Sequence, residues 1–183
     1  MPIMMTAEIE ALEKELTEKQ QQLADLKKQL ARKKIQNYSF DNWEVGKSSL
    51  SDFFGEHKYL VLIHNMGQKC KYCTMWANGF EGIYQHFADK AGFVLINHDN
   101  IEQQQKFAQK QGWTFPIYSA GDSSFSRDLG FADEQNNPWP GVSTFVKNED
   151  GSIELLAQSS FGPGDLFCNV WHFYDLLPEK YDY

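Results

Sequence analysis

Two nearly continuous apolar runs, Lys58–His64 (KYLVLIH) and Gly92–His98 (GFVLINH), constrain this chain more than any other feature. Each has strand length and is apolar at successive positions, the pattern of a strand covered on both faces. Between them, Lys71 to Asp89 reads as a helix, although Asn78, Gly79 and Gly82 weaken its middle. Strand, helix and second buried strand make a parallel β-α-β unit. Ile101–Gln111 then reads as a second helix ended by Gly112, and Phe115–Ser119 as a third strand. Residues 121–140 are loop-rich, with one turn around Phe125–Leu129. Val142–Lys147 and Ser152–Ser159 form a hairpin across Asn148–Gly151, where Asp150-Gly151 is a strong turn signal. A closing helix over Asp165–Leu177 stops at Pro178. Ahead of the β-α-β unit, Asn37–Asn42 and Lys47–Leu50 read as a hairpin, followed by a helical turn at Ser51–Gly55. The expected class is an α/β sandwich around a central mixed sheet.

Residues 1–36 are of a different kind, so two regions are expected, 1–36 and 37–183. The first contains no glycine and none of the 27 aromatic residues. Ile9, Leu12, Leu16, Leu23, Leu26 and Leu30 recur at spacings of three and four, with Lys19 interrupting the series. That is the narrow stripe of a helix that packs on something. Glutamates come early and Lys27, Lys28, Arg32, Lys33 and Lys34 come late, which complements the helix dipole, and Thr6 is placed to cap the start. Two uses fit the stripe: a dimer-forming coiled coil, or a helix lying on its own domain.

The formal charge is −8 and no basic cluster stands out, which excludes charge-driven binding to nucleic acid or to an anionic membrane. No apolar run approaches the roughly 18 residues of a membrane span. The start lacks the apolar stretch and cleavage site of a secretory leader, so the cytoplasm is the expected compartment. No glycine-rich phosphate loop follows a strand, and no organic cofactor is expected.

Three cysteines, Cys70, Cys73 and Cys168, are too few for a disulfide framework. Cys70-Lys71-Tyr72-Cys73 falls between a buried strand and a helix. At a helix start, free N–H groups and the dipole favour a thiolate, and Lys69 and Lys71 add positive charge. Cys70 is then the outward, attacking thiol and Cys73 the resolving one. His64, at the end of the incoming strand, is a candidate proton carrier for Cys73; a buried histidine bonded to its surroundings is the plainer reading. Two other readings of the cysteines stay open. Cys168 and His172, spaced i and i+4, complete a Cys₃His zinc set with Cys70 and Cys73, or the thiols are inert. Arg127 reads as a surface ion-pair residue. Trp113, Phe115, Pro116 and Trp139 are expected to border the motif edge of the sheet.

The order strand, CxxC, helix, strand, helix, hairpin and helix resembles the thioredoxin fold. The stretch GKSSLSDFFGEHKYLVLIHN resembles the opening of the peroxiredoxin and thiol-specific antioxidant branch. The leucine-rich helix, CKYCTMWANGFEG, QGWTFPIYS, SFSRDLGF, PGVSTFVKNEDGS and FYDLLPE are together similar to bacterial domain-of-unknown-function family 899, over roughly residues 8–181. The resemblance implies a thioredoxin-like sandwich with Cys70 attacking and Cys73 resolving. It places His64 where thioredoxins keep a buried acid, six positions before the first cysteine. It makes the stretch Pro140, Gly141 and Val142 the substrate-docking backbone, with the proline displaced from its usual place; Trp113, of the aromatic set above, is a further candidate substrate-binding residue. Peroxiredoxins carry a proline and a threonine ahead of the reactive cysteine; the residues MGQK before Cys70 hold neither, which argues against peroxidase chemistry of that type. Cys168 lies outside the family pattern, and at the start of the final helix it is a candidate third redox thiol. The expected function is thiol–disulfide exchange on a protein or small-molecule disulfide. The alternatives are the zinc-stabilised module and a redox-inactive protein that dimerises through its leading helix.

Overall fold

A computed structural model describes residues 6–179; positions 1–5 and 180–183 of the two expected regions lie outside the described residues. In chain order the elements are α1 (Ala7–Lys28), β1 (Lys33–Ile35), β2 (Ser39–Asn42), β3 (Gly46–Ser49), a 3-10 turn (Asp52–Phe54) and β4 (Tyr59–His64). There follow α2 (Lys71–Ala88), β5 (Gly92–Asn97), α3 (Ile101–Gln111), β6 (Ile117–Ser119) and the single turn α4 (Phe125–Asp128). The chain closes with β7 (Gly141–Lys147), β8 (Ile153–Ser160) and α5 (Asn169–Tyr174).

The strands form one mixed sheet in the order β1-β8-β7-β4-β5-β6-β2-β3. β4, β5 and β6 run parallel, as the helical crossovers between them require. β7 returns antiparallel beside β4, so Gly141 stands opposite His64 and Val142 opposite Ile63. The central strands are buried on both faces because side chains alternate into two apolar clusters. Leu60, Leu62, Val94, Ile96 and Phe145 meet the phenylalanines of the 3-10 turn, α4 and β2 on one face. Ile63, Phe93, Leu95 and Val142 meet α2, α3 and α5 on the other. Trp76, Ala77 and Phe80 are the buried side chains that seat α2, and each large one contributes roughly 1.5–3 kcal/mol.

Three expectations are corrected. The leading helix ends at Lys28 rather than continuing to residue 36, because Lys33–Ile35 pair with β8 and bury Ile35. The free edge of a long strand outweighs helix propensity there. The closing helix is α5 alone. Asp165 accepts from the backbone N–H of Gly162 at 2.9 Å and of Phe167 at 2.7 Å, so residues 162–168 take a side-chain-bonded turn instead of a helical one. Leu176 and Leu177 extend past it exposed. Finally, Trp113, Phe115 and Pro116 precede β6, which runs parallel to β5, and so lie at the edge opposite the cysteine motif. Trp113 donates to Asn78 Oδ1 at 2.7 Å, midway along α2. Of that aromatic set only Trp139 stands near the motif edge.

Gly141 sits where the sheet leaves no room. A Cβ there would lie 2.6 Å from the carbonyl oxygen of Ser159 and strike the Phe131 ring. Gly141→Ala is expected to lower stability by about 1–3 kcal/mol, read as a shifted urea midpoint at unchanged slope.

Candidate thiol site

β4 ends at His64, and the six residues that follow must turn the chain into α2 at the edge where the parallel strands end. Two polar side chains hold this connection, Asn65 buried and Asp99 half-buried. Asn65 Oδ1 accepts from Gly67 N–H at 2.7 Å, and Asn65 Nδ2 donates to the Cys73 carbonyl at 3.4 Å. Gln68 N–H donates to Asp99 Oδ2 at 2.8 Å, tying the turn to the end of β5. Gly67 has φ +89°, and a Cβ on it would lie 2.7 Å from the Asp99 carboxylate oxygens. Sequence reasoning passed over Asn65, Gly67 and Asp99. The available signal was polar residues directly after two apolar strands, where each has backbone groups to satisfy.

Cys70 is the N-cap of α2. It has extended backbone angles, and its Sγ accepts the N–H of Cys73 at 3.1 Å. A sulfur in that place satisfies one of the four free N–H groups of the helix start and faces the positive end of its dipole. Cys70 is half-buried and both sulfurs are free thiols. Cys73, one turn in, is buried with Trp76 and Ala77. Its Sγ accepts from Met66 N–H at 3.4 Å. Burial pushes the Cys73 thiol well above its ordinary range, and its hydrogen bond to Cys70 adds to the rise. The pair is therefore unequal: an accessible sulfur supported by the helix start, and a buried thiol that holds its proton. Lys69 is exposed beside the motif, and Lys71 holds its Nζ 4.9 Å from the centre of the Tyr72 ring.

The other expected residues separate. His64 alternates away from Cys73 onto the opposite face of the sheet. Its Nε2 lies 2.8 Å from Ser143 Oγ, and its ring stacks on Phe131 at 3.9 Å. The expected contact between His64 and Cys73 is not made, because strand alternation gives Ile63, not His64, to the cysteine face. Burial, and then the nearby His98, depress the His64 pKa to about 3. Cys168 is the N-cap residue of α5, buried in the same cluster as Cys73, with its thiol raised first by desolvation. It lines a groove of about 630 Å³ whose other wall is Lys71, Thr74 and Met75 of α2. His172 is largely exposed, its Nδ1 3.9 Å from Asp175. Among the described residues no three histidine, cysteine or acidic side chains converge to hold a metal ion, so Cys70, Cys73, Cys168 and His172 do not form the zinc set. Arg127 lies in α4, whose Phe125 belongs to the apolar cluster on the sheet face opposite Cys73, and makes no ion pair within 4.0 Å among the described residues. No described helix is long and apolar enough to cross a membrane.

A mixed sheet whose central parallel strand runs through a short turn into a cysteine-capped helix defines a thioredoxin-like fold, and solved structures carry the same architecture. The chain is similar to peroxidoxin BcpB from Mycobacterium tuberculosis, with TM-score 0.58 and 21% identity over 70% of this chain and 83% of that one. It is also similar to the mitochondrial 2-Cys peroxiredoxin from Plasmodium falciparum, with TM-score 0.58 and 18% identity over 80% and 92% of the two chains. In sequence it is 29% identical over 117 residues to the chloroplastic peroxiredoxin Q of Sedum lineare, covering 63% of this chain and 61% of that protein. A peroxiredoxin Bcp of Xanthomonas campestris is 30% identical over 88 residues, covering 44% of this chain and 54% of that protein. The match thus spans little more than half the length of these relatives. The chain itself belongs to the DUF899 family of bacterial proteins of unknown function, whose pattern it matches over residues 5–180.

The His64 environment generates a pH dependence. The folded imidazole titrates near 3 instead of the ordinary 6.5, so between these values the unfolded chain binds the extra proton. The stability tied to neutral His64 is complete above about pH 6.5 and is lost as the pH falls toward 3. Urea midpoints measured down this range are expected to fall less steeply in His64→Gln than in the wild type.

Proposed function

We propose that this protein is a thiol–disulfide oxidoreductase in which Cys70 attacks and Cys73 resolves. The observation that carries the reading is the placement of Cys70 as the half-buried cap of α2, its sulfur receiving the Cys73 N–H at 3.1 Å. The Cys70 thiolate attacks one sulfur of a substrate disulfide, forms a mixed disulfide and expels the other sulfur as a thiolate. Cys73 then gives up its proton and attacks Cys70 Sγ, releasing the second substrate thiol and closing the Cys70–Cys73 disulfide. Two electrons pass to the substrate. Burial of Cys73 keeps it out of the first step and leaves it beside Cys70 for the second. In this reading the substrate docks at the start of β7, where Pro140 and Gly141 follow the half-exposed Trp139 and Gly141 pairs with His64; Val142 is buried beneath. Cys70 and Cys73 complete this exchange by themselves, and Cys168, at the start of α5, is not required by it.

The peroxiredoxin relatives favour a second reading of the same pair. There Cys70 attacks the O–O bond of a peroxide, and Cys73 displaces water from the resulting sulfenic acid. Both readings end in the Cys70–Cys73 disulfide.

Equilibration in glutathione buffers of graded potential, with free thiols counted by mass-shift labelling, is expected to show two thiols disappearing together and reversibly. The midpoint should fall within roughly −120 to −270 mV. Cys70→Ser is expected to abolish the transition and Cys73→Ser to accumulate a mixed disulfide, while Cys168→Ser leaves both unchanged. Thiols that never pair would defeat both readings. Stopped-flow oxidation of the reduced protein by peroxide and by a peptide disulfide separates them by rate.

A further inference from the structure

None of the residues of α1 is buried. Its stripe is open along its length: Ile9, Leu12, Leu16, Leu23 and Leu26 are each between 43% and 62% exposed. The helix touches its own domain through another face. Gln20, Ala24 and Lys27 are part-covered, and Lys27 Nζ donates to Ser159 Oγ at 3.0 Å. The stripe therefore does not serve to pack α1 on the sheet.

Within the helix the stripe occupies positions 9, 12, 16, 19, 23 and 26, alternating steps of three and four as a two-stranded coiled coil does. Lys19 is the one charged member. In a parallel pair of such helices Lys19 would face the partner's Lys19 in the seam, and the half bearing Glu8, Glu10, Glu13 and Glu15 would lie along its own like. Both arrangements are repulsive. Reversing one helix removes both conflicts. Ile9 then meets the partner's Leu26, Leu12 meets the partner's Leu23, and Leu16 meets the partner's Lys19. The same register superimposes Ala7 on the partner's Lys28, so the pairing uses the whole of α1, ~33 Å at 1.5 Å per residue. The glutamate-rich half lies along the half bearing Lys27 and Lys28. Lys19 stays within a turn of the partner's Glu13 and Glu15, its stem on the partner's Leu16 and its ammonium at the rim.

We propose that α1 pairs with α1 of a second copy of this chain as an antiparallel coiled coil, which makes the protein a homodimer. The pairing does not depend on the chemistry proposed at the thiol site.

Sedimentation equilibrium of the full chain is expected to give twice the 21.2 kDa chain mass. The doubly substituted Leu12→Glu/Leu23→Glu chain is expected to sediment at the single-chain mass while keeping a single cooperative unfolding transition of the domain, since neither leucine is buried. Orientation is read by cross-linking under mild oxidation, with the linked peptides mapped. Chains carrying Ile9→Cys mixed with chains carrying Leu26→Cys are expected to link residue 9 to residue 26. Ile9→Cys chains alone are expected not to link through that position, since antiparallel pairing holds the two sites ~26 Å apart along the axis. A single-chain mass for the wild type overturns the proposal, as does a 9-to-9 link.

Discussion

The seating of α2 on the sheet, chiefly against β5, is the constraint on which the rest of the molecule depends. Trp76, Ala77 and Phe80 bury one face of the helix, and that face also carries Cys73, one turn nearer the start. Helical spacing then sends Cys70 to the rim, where the chain has just left the strand. The inequality between the two sulfurs is thus a packing result: the burial that holds the helix raises the Cys73 thiol, and the free N–H groups of the same helix point at Cys70.

Around this seat the fold divides its polar residues by task. Asn65 and Asp99 satisfy the backbone of the short turn, and a glycine at 67 lets the Asp99 carboxylate come close. Asp165 ties the distal segment to the same helix by accepting from Trp76 Nε1 at 3.0 Å while ordering residues 162–168. His64 Nε2 pairs with Ser143 Oγ on the far face of the sheet, under Phe131, while His64 Nδ1 has no hydrogen-bond partner among the described residues. One sheet therefore separates a thiol face from a buried histidine face. The leading helix touches the domain only along one side, and its charge order and its lone seam lysine are suited to a reversed copy of itself.

The strands Lys58–His64 and Gly92–His98, the helix between them and the Asp150-Gly151 hairpin were legible in the sequence because each carries a local signal: unbroken apolar runs, a cap, a turn residue. The cysteine pair was legible for the same reason, since the end of a strand and the start of a helix place it without long-range information. The placement of His64 was not. A continuous apolar strand gives no sign of which side chains face which way until the helices have chosen their faces, and the choice fell to Ile63. Trp113 was misplaced because the direction of β6 depends on its pairing with β5, and β1 was missed because Lys33–Ile35 becomes a strand only beside the open edge of β8.

By itself, then, the sequence determined the α/β class, the central crossover, the cysteine-capped helix and the apolar stripe of the leading helix, all of which follow from near-neighbour periodicity and capping. Only the tertiary structure decided which face of β4 each side chain serves, the dissolution of Cys70, Cys73, Cys168 and His172 as a ligand set, and the turn of residues 162–168 in place of a longer helix. These rest on contacts between residues far apart in the chain, where burial and hydrogen-bond satisfaction outweigh local propensity.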